Sequence, residues 1–432
     1  MSWPAGRHPT ADDGYPAAAE PRSAPVPVPA GRGRWRLTLH RRRWSAGDDP
    51  STTLLAELPA ARGRRLDRNW CQPATFTFSL DSARPEAALI SELQTEVVAW
   101  RWREDNGQDW PMFAGPVCQA QDQLSEQANT VTFTCHDYLA LLARRIYTSP
   151  APWTFSAVDQ DSIANQLVGY AANPVTGTGN SLLPGGYLPV VMHPVDPTGN
   201  NRAYSGVARD RTYYGSSIIG DLLDQLAKVQ GGFDYDMHFA AGFARDVIRV
   251  FYPYQGQART SPVLLYGSTI SALSRTVNSA DYGNFWRVLG NNGSSDPNAA
   301  QLYGEAYNSD ATATQTGLWM SAANAADVNQ QNTLTQQAQG DLDLAGVLTP
   351  VYTLTLRPGT YQFGLFDMGD VLPLIVLAGR LNVNTTVRVL GISFDIGDDG
   401  QEDVILTVGR PAVTLPQLLA ANNRDVNALN RR

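Results

Sequence analysis

Two groups of residues have the types and spacing for acid–base or metal chemistry. Asp234, Asp236 and His238 stand at alternate positions of a strand-like segment, so their side chains share a face that could ligate a cation or move a proton. The five histidines, His8, His40, His136, His193 and His238, are scattered, and none has a second histidine at ligand spacing. A polar strand face, open to solvent or to a channel, is therefore the favoured reading. Asp395, Asp398, Asp399, Glu402 and Asp403 superficially resemble a calcium loop but lack the every-second-residue spacing that its ligands need, so a charged hairpin tip is expected. There is no GxSxG elbow, P-loop, HExxH or GxGxxG after a strand. Cys71, Cys118 and Cys135 are odd in number and carry no CxxC spacing, which fits neither a disulfide framework nor a zinc ribbon. Cys118 and Cys135 lie on strands that could pair, which leaves a bridge open beside the favoured reading of small buried thiols. Trp100, Trp102 and Trp110 could stack on sugars; Trp100 and Trp102 share the apolar strand face of Val98, with Arg101 and Arg103 opposite, which favours core packing. No catalytic, cofactor-binding or metal-binding residue is expected, and the chain does not read as an enzyme.

The elements that would position these residues are mostly strands. Trp35, Leu37 and Leu39 alternate with polar residues, and after an arginine-rich interval Phe76, Phe78 and Leu80 do the same. Asp81 and Pro85-Glu86 predict a short helix to Leu93. The segments around Val98–Trp102 and Trp110–Gln121 flank Asn106-Gly107, a strong hairpin signal. In 130–135, Val131, Phe133 and Cys135 face one way and Thr132 and Thr134 the other, and Asp137 caps a helix carrying Tyr138, Leu141 and Leu142. Helices are predicted over 159–172, from Ser216 or Ser217 to Gly231-Gly232, and over 331–344. Strands are predicted over 233–239, 247–252, 285–289, 351–356, 370–377, 386–396 and 404–409, with Asp398-Asp399-Gly400 turning the last hairpin. The fold class is mainly β with α+β segments. The expected divisions are a Pro-rich arm (1–31), a first β domain (32–148), an α+β connection (149–262) holding a Gly/Pro-rich insertion (174–212), a second β domain (263–412) holding a polar insertion (291–326), and a tail (413–432).

The 432 residues suffice for two or three domains, and a net charge of −8 argues against nonspecific attraction to phosphates or anionic membranes. The run Arg41-Arg42-Arg43 reads as a solvated loop. No run of 18 apolar residues and no apolar signal core are present, so a soluble chain without an export signal is expected.

Four segments in this order resemble the tail-hub, or minor tail, proteins at the tail tip of long non-contractile-tailed bacteriophages, especially those infecting actinobacteria. They are GPVCQAQDQLSEQANTVTFTCHDYLALLARRI from Gly115, AKVQGGFDYDMHF from Ala227, LLYGSTISALSRTVNSADYGNFWRVLG from Leu264, and FDMGDVLPL with VRVLGISFDIGDDGQEDVILTVG between Phe366 and Gly409. The resemblance implies two tail-tube-like β-barrel domains joined by an α+β region, in a fold shared with the central hub of contractile baseplates. It implies a homotrimer whose six barrels match a hexameric tube, located in the virion at the tail tip. Its implied partners are a distal tail protein or tail tube, a tape-measure protein and other tail-tip proteins, with phage DNA passing through unbound and host envelope contact indirect. The helix ending in Arg144 and Arg145 becomes a candidate subunit interface. A glycan-binding or glycan-cleaving tail-tip protein is the alternative. The sequence lacks the downstream peptidoglycan-cleaving domain of larger relatives, which argues against a wall-degrading role.

Overall fold

Alternating apolar and hydroxyl-bearing side chains build most of this molecule. The computed structural model describes residues 35–409 except 44, 46–47, 49–52, 104–106, 126–128, 175–182, 184, 196–204, 228–230, 240–245, 281, 291–299, 309–315, 326–330, 347 and 399. The proposed arm, the tail, Asn106 and Asp399 lie outside the described residues.

The first part holds β1 (Trp35–Arg41), β2 (Leu54–Glu57), β3 (Arg62–Asn69), β4 (Thr75–Asp81), β5 (Thr95–Trp102), β6 (Asp109–Leu124), β7 (Asn129–His136) and α1 (Tyr138–Leu142). In β4 and β7 the expected alternation holds: Phe76, Phe78, Val131, Phe133 and Cys135 are buried, with the intervening residues half-buried. Phe76 stacks on Phe113 with centroids 5.5 Å apart, and Phe78 meets Phe133 at 5.2 Å. Burying each such ring contributes roughly 1.5–3 kcal/mol. The Asp137 carboxylate caps α1 by accepting from Leu139 N at 3.0 Å, and its other oxygen accepts from Ala74 N at 2.8 Å. The cap therefore also ties α1 to the loop before β4. Between β4 and β5 the expected helix is only a 3-10 turn, Ala87–Leu89, because Glu86 supplies no side-chain cap and the chain leaves through Leu93 at φ 63°.

The middle part holds β8 (Trp153–Asp159), α2 (Gln160–Ala172), β9 (Val190–Val195), β10 (Ala208–Tyr213), α3 (Ile219–Ala227), β11 (Asp234–His238) and β12 (Asp246–Phe251). Asp159 caps α2 and also accepts from Gly206 N at 2.7 Å, pinning the end of the Gly/Pro-rich stretch to the helix. That stretch, expected to lack periodicity, contributes β9, which pairs in parallel with β12, and β10, which pairs with β8.

The last part holds β13 (Leu264–Leu265), β14 (Ile270–Thr276), β15 (Phe285–Gly290), β16 (Tyr303–Tyr307), β17 (Met320–Ala325), α4 (Gln331–Ala345), β18 (Val351–Leu356), β19 (Val371–Ala378), β20 (Leu381–Ile396) and β21 (Glu402–Gly409). The polar insertion supplies β16 and β17, which flank β15 in a small sheet with its own core.

One sheet of 13 strands joins the first and last parts, in the order β14-β18-β21-β20-β3-β4-β7-β6-β5-β1-β2, with β19 branching from β20 and β13 from β19. The link is the β20–β3 ladder, in which Phe394 stands opposite Leu66. The arginine-rich interval that showed no strand signal thus supplies the joining strand. Two meanders, β5-β6-β7 and β19-β20-β21, have matching designs. Each has a 16-residue middle strand that pairs with one neighbour along its first half and another along its second, with a register shift at Val117/Gln119 in β6 and Val389/Gly391 in β20. A bulge of this kind bends a strand and increases its twist. At Gly115, beside the first bend, the backbone of His136 passes so close that a Cβ would lie 2.1 Å from its carbonyl oxygen.

Candidate functional site

From the second half of β6 through β7, β4 and β3 to β20, β21 and β18 the large sheet has a buried apolar face and a more exposed, largely polar one, and strand pairing decides what lies on the polar one. The register aligns Arg65 with Thr77, Thr77 with Thr134 and Thr134 with Gln119; the next rows align Ser79, Thr132 and Gln121, then Asp81, Thr130 and Gln123. Across the junction strand the face continues through Asp395 opposite Arg65 and Ser393 opposite Asp67, then through Ile405, Thr407, Thr353 and Thr355 of β21 and β18. Neighbouring strands lie about 4.8 Å apart, so these residues form one continuous surface of hydroxyl and amide groups. Ser79 Oγ and Thr132 Oγ1 are 2.9 Å apart, and Thr75 Oγ1 lies 3.2 Å from His136 Nδ1.

Several charges on this face are paired. Arg65 Nε donates to Asp67 at 2.8 Å and its Nη1 to Asp395 at 2.9 Å, and Arg62 lies 3.6 Å from Asp398. Burial lowers the His136 pKa, so the imidazole is uncharged at neutral pH. An open depression of about 490 Å³ on this face is lined by Arg64, Arg65, Thr77, Asp395, Gln401 and Asp403. No group of three or more His, Cys, Asp or Glu residues among those described could hold a metal ion.

Behind the sheet, three buried ionic clusters hold the parts of the chain together. Arg101 and Glu402 are 1% and 4% exposed; Arg101 Nη2 donates to Glu402 Oε1 at 2.7 Å and Trp35 Nε1 donates to Oε2 at 2.7 Å, joining the first and last parts. Arg43 Nε donates to Glu96 at 2.8 Å and Nη2 to Asp246 at 2.8 Å, while Tyr138 Oη donates to Glu96 at 2.6 Å, joining the first and middle parts. Arg388 Nη2 donates to Asp234 at 3.0 Å, Nε to Gly369 O at 3.0 Å, and the guanidinium lies 3.5 Å from the Trp70 ring centroid. This third cluster joins all three parts. Burial pushes Asp234 and Asp246 up to about 6, opposed by Arg388 and Arg43 respectively. Burial acts on Asp236 in the same direction, but Arg249, donating through Nε at 2.8 Å, outweighs it and holds the carboxyl below its usual range.

Several sequence expectations are corrected here. Asp234, Asp236 and His238 do not line an open face: Asp234 and Asp236 are buried, their cations arriving from β20 and β12, and His238 packs against Trp110 with burial and Arg249 lowering its pKa to about 4. The arginine run is not a solvated loop; Arg42 and Arg43 are buried and only Arg41 is exposed. On β5 plain alternation puts Arg101 on the buried face with Val97 and Ala99, opposite Trp35 of β1, while Trp100 and Trp102 stay half-buried. Trp100 Nε1 donates to Thr38 Oγ1 at 2.8 Å and Arg36 covers its ring, so this indole is engaged within the chain. Of the acidic hairpin tip, Asp395, Asp398 and Asp403 reach the surface but Glu402 faces inward to Arg101. Cys71, Cys118 and Cys135 are free thiols, Cys71 and Cys135 buried. Arg144 is exposed and Arg145 half-buried, beside the exposed Ile146 and Ile218 that bridge the end of α1 to the start of α3.

The sequence alone did not reveal the polar face, although its Thr/Ser alternation was visible strand by strand. What it lacked was the pairing that puts the strands side by side.

No protein-family model and no curated protein matches the chain. Solved structures do. The 43 kDa tail protein of prophage MuSo2 from Shewanella oneidensis superposes with a TM-score of 0.57 at 13% identity, over 88% of this chain and 99% of that one. A tail protein from Neisseria meningitidis MC58 gives 0.55 at 12% identity over 89% and 99%. Prophage tail protein gp18 from Listeria monocytogenes EGD-e gives 0.50 at 10% identity over 91% and 99%. At such identities the likeness is one of fold: this chain shares the mainly β architecture of phage tail proteins over nearly its whole described length.

Proposed function

We propose that the chain is a structural protein of a bacteriophage tail, three copies of which form a hub at the tail tip and surround a channel through which the genome leaves. The observation that carries this reading is the polar sheet face. A wall that DNA must slide past cannot hold phosphates, and a surface of threonine, serine and glutamine, on which Arg65 is paired to Asp67 and Asp395, offers few cations among the described residues to grip them. Unpaired arginines would act over about 8 Å at physiological salt, which is enough to matter at a wall the DNA touches.

The fold likeness to tail proteins supports the same reading. So do the matching β5-β6-β7 and β19-β20-β21 meanders, which suit two barrel-like halves in one chain. In a trimer these halves would give six similar walls. The buried ionic clusters would fix the angle between halves, because a buried pair tolerates little change in geometry. Arg144 and Arg145, next to Ile146 and Ile218, are the proposed contact with a neighbouring subunit. Other proposed neighbours are the tail tube or distal tail protein and the tape-measure protein.

Thr77→Arg with Thr134→Arg tests the reading, since both sites face outward on the polar surface. Virions carrying both are expected to assemble with normal tails and to eject DNA at least tenfold more slowly at low salt, the defect easing as salt rises. Unchanged ejection kinetics would count against a channel wall at this face.

A further inference from the structure

Between β14 and β18 the chain builds a unit with its own core. The two strands pair directly, with Thr276 opposite Val351, and residues 283–345 lie between them in the chain. The unit closes on itself where Gly283 N donates to Ala345 O at 3.2 Å. Its core of Trp286, Val288, Ala306, Leu334, Ala338 and Leu342 is separate from the main core. α4 covers one side of the β16-β15-β17 sheet so closely that a Cβ on Gly304 would lie 2.2 Å from the Leu334 carbonyl carbon.

Apolar side chains gather on the uncovered side, at the end where the unit closes. Asn284 N and Phe285 N donate to Trp319 O at 3.0 and 3.1 Å, next to the Gly283–Ala345 bond, and the first row of the register is Tyr307-Phe285-Met320. Tyr307 is 69% exposed, Leu318 71%, Trp319 48% and Met320 63%. A Tyr or Trp side chain offers about 150–250 Å² for burial, so these two rings alone leave roughly 200 Å² in water. Leu318 and Met320 bring the patch to the few hundred Å² at which exposed apolar surface marks an interaction site.

The residues that follow β21 match this patch in position, pattern and charge. β21 ends at Gly409, and Val408 stands opposite Tyr352, near the start of β18. Residues 346–350 lead from the unit into β18, and residues 410–414 leave β21 at the same end of this strand pair. Five extended residues span at most about 18 Å in either case, so Leu415 can reach the closing end of the unit. Leu415, Leu418, Leu419, Val426 and Leu429 fall within one arc of about 100° on a helix, with Arg424 opposite, and Pro416 suits its first turn. Residues 277–350 hold seven acidic side chains and one basic, Arg287, whereas residues 410–432 hold four arginines and one aspartate. The two segments therefore attract.

We propose that residues 415–429 form an amphipathic helix whose apolar stripe covers Tyr307, Leu318, Trp319 and Met320 of the same chain. An untethered partner would give up translational and rotational freedom to dock here, whereas a short tether holds this segment at an effective concentration on the order of millimolar. The contact lies within one chain and does not depend on the channel reading.

Hydroxyl-radical footprinting, read by mass spectrometry at Trp319 and Met320, compares the full chain with one truncated after Ala412. Both residues are expected to oxidise at least fivefold faster in the truncated chain, while Met112, buried in the main core, reacts alike in both. Leu418→Arg with Leu419→Arg in the full chain should give the truncated chain's rates, and Arg424→Gln, on the opposite arc, should keep at least half the protection. Isotope-labelled truncated chain mixed with unlabelled full chain should stay unprotected. Equal oxidation with and without residues 413–432 overturns the proposal, as does protection that survives the double arginine change. Protection of the labelled truncated chain would also overturn it, by making the occupant a segment of a second copy.

Discussion

Glu402→Gln removes one charge from the Arg101–Glu402 pair while leaving its shape in place. Arg101 would then be a buried guanidinium with Nε and Nη2 facing a neutral amide, in a site where the arginine is 1% exposed, Nη1 donates to Trp102 O at 3.4 Å and the Tyr361 ring centroid lies 5.4 Å away. Trp35 Nε1 would also exchange a carboxylate acceptor at 2.7 Å for an amide. Breaking a buried pair from one side costs about 3–5 kcal/mol. At ~2.1 cal/mol/K of unfolding entropy per residue, that lowers the melting temperature by roughly 4–6 °C for a cooperative unit of this size. Replacing both partners, Arg101→Met with Glu402→Leu, leaves no uncompensated charge, and such apolar replacements are commonly neutral or stabilising by about 1–4 kcal/mol. The double variant leaves Trp35 Nε1 without its acceptor, at about 1–3 kcal/mol, and should still melt above Glu402→Gln and closer to wild type. Thermal melting followed by near-ultraviolet circular dichroism reads both, because Trp35 reports on the site. A Glu402→Gln protein that melts with wild type, or a double variant as damaged as the single one, would refute the reasoning.

Three further outcomes are expected. Burial, only partly offset by backbone N–H donors, pushes Asp137 up to about 7 from an ordinary 3.8. An acid whose folded pKa lies above its unfolded one holds its proton more tightly when folded, so this stabilisation is full below about pH 4 and is lost as pH rises through about 7. The difference amounts to roughly 4 kcal/mol; melting temperatures across pH 4–8 should fall in wild type, and a slope that Asp137→Asn leaves unchanged would contradict the assignment. Gly304→Ala forces α4 away from β16 at a cost of about 1–3 kcal/mol. Limited proteolysis should then cut within 283–345 several-fold faster while the main sheet resists as before, and equal cutting in both would contradict a separate unit. Arg144→Glu with Arg145→Glu should prevent trimer formation in sedimentation velocity without changing the monomer fold, and an intact trimer would remove these arginines from the interface.

How far the sequence could be read depended on how local each signal was. β4 and β7 were legible because burial alternates along each strand, β1 because Trp35, Leu37 and Leu39 alternate with polar residues although Thr38 and His40 are buried too, and the Asp137 cap because it sits one residue before its helix. β3 was not legible: Arg62–Asn69 buries only Leu66, and its strand character comes from β20 and β4 on either side. The buried charges were misplaced for a related reason. Asp234 is neutralised by Arg388, 154 residues away, and Arg101 by Glu402, 301 residues away, so each looked like surface when its own segment was read alone. The polar face was half visible, since each strand displayed its hydroxyls but only pairing assembles them. In the insertion, β16 and β17 are short and carry alanine, glycine and tyrosine, and they become strands through β15 between them.

A symmetry-resolved reconstruction of the phage tail proposed to contain this chain tests the central claim most directly. The account predicts three copies around the tail axis, with Thr77, Thr132, Thr134 and Gln121 turned toward the channel. Copies on the tail periphery, or this hydroxyl face buried against another protein, would contradict it.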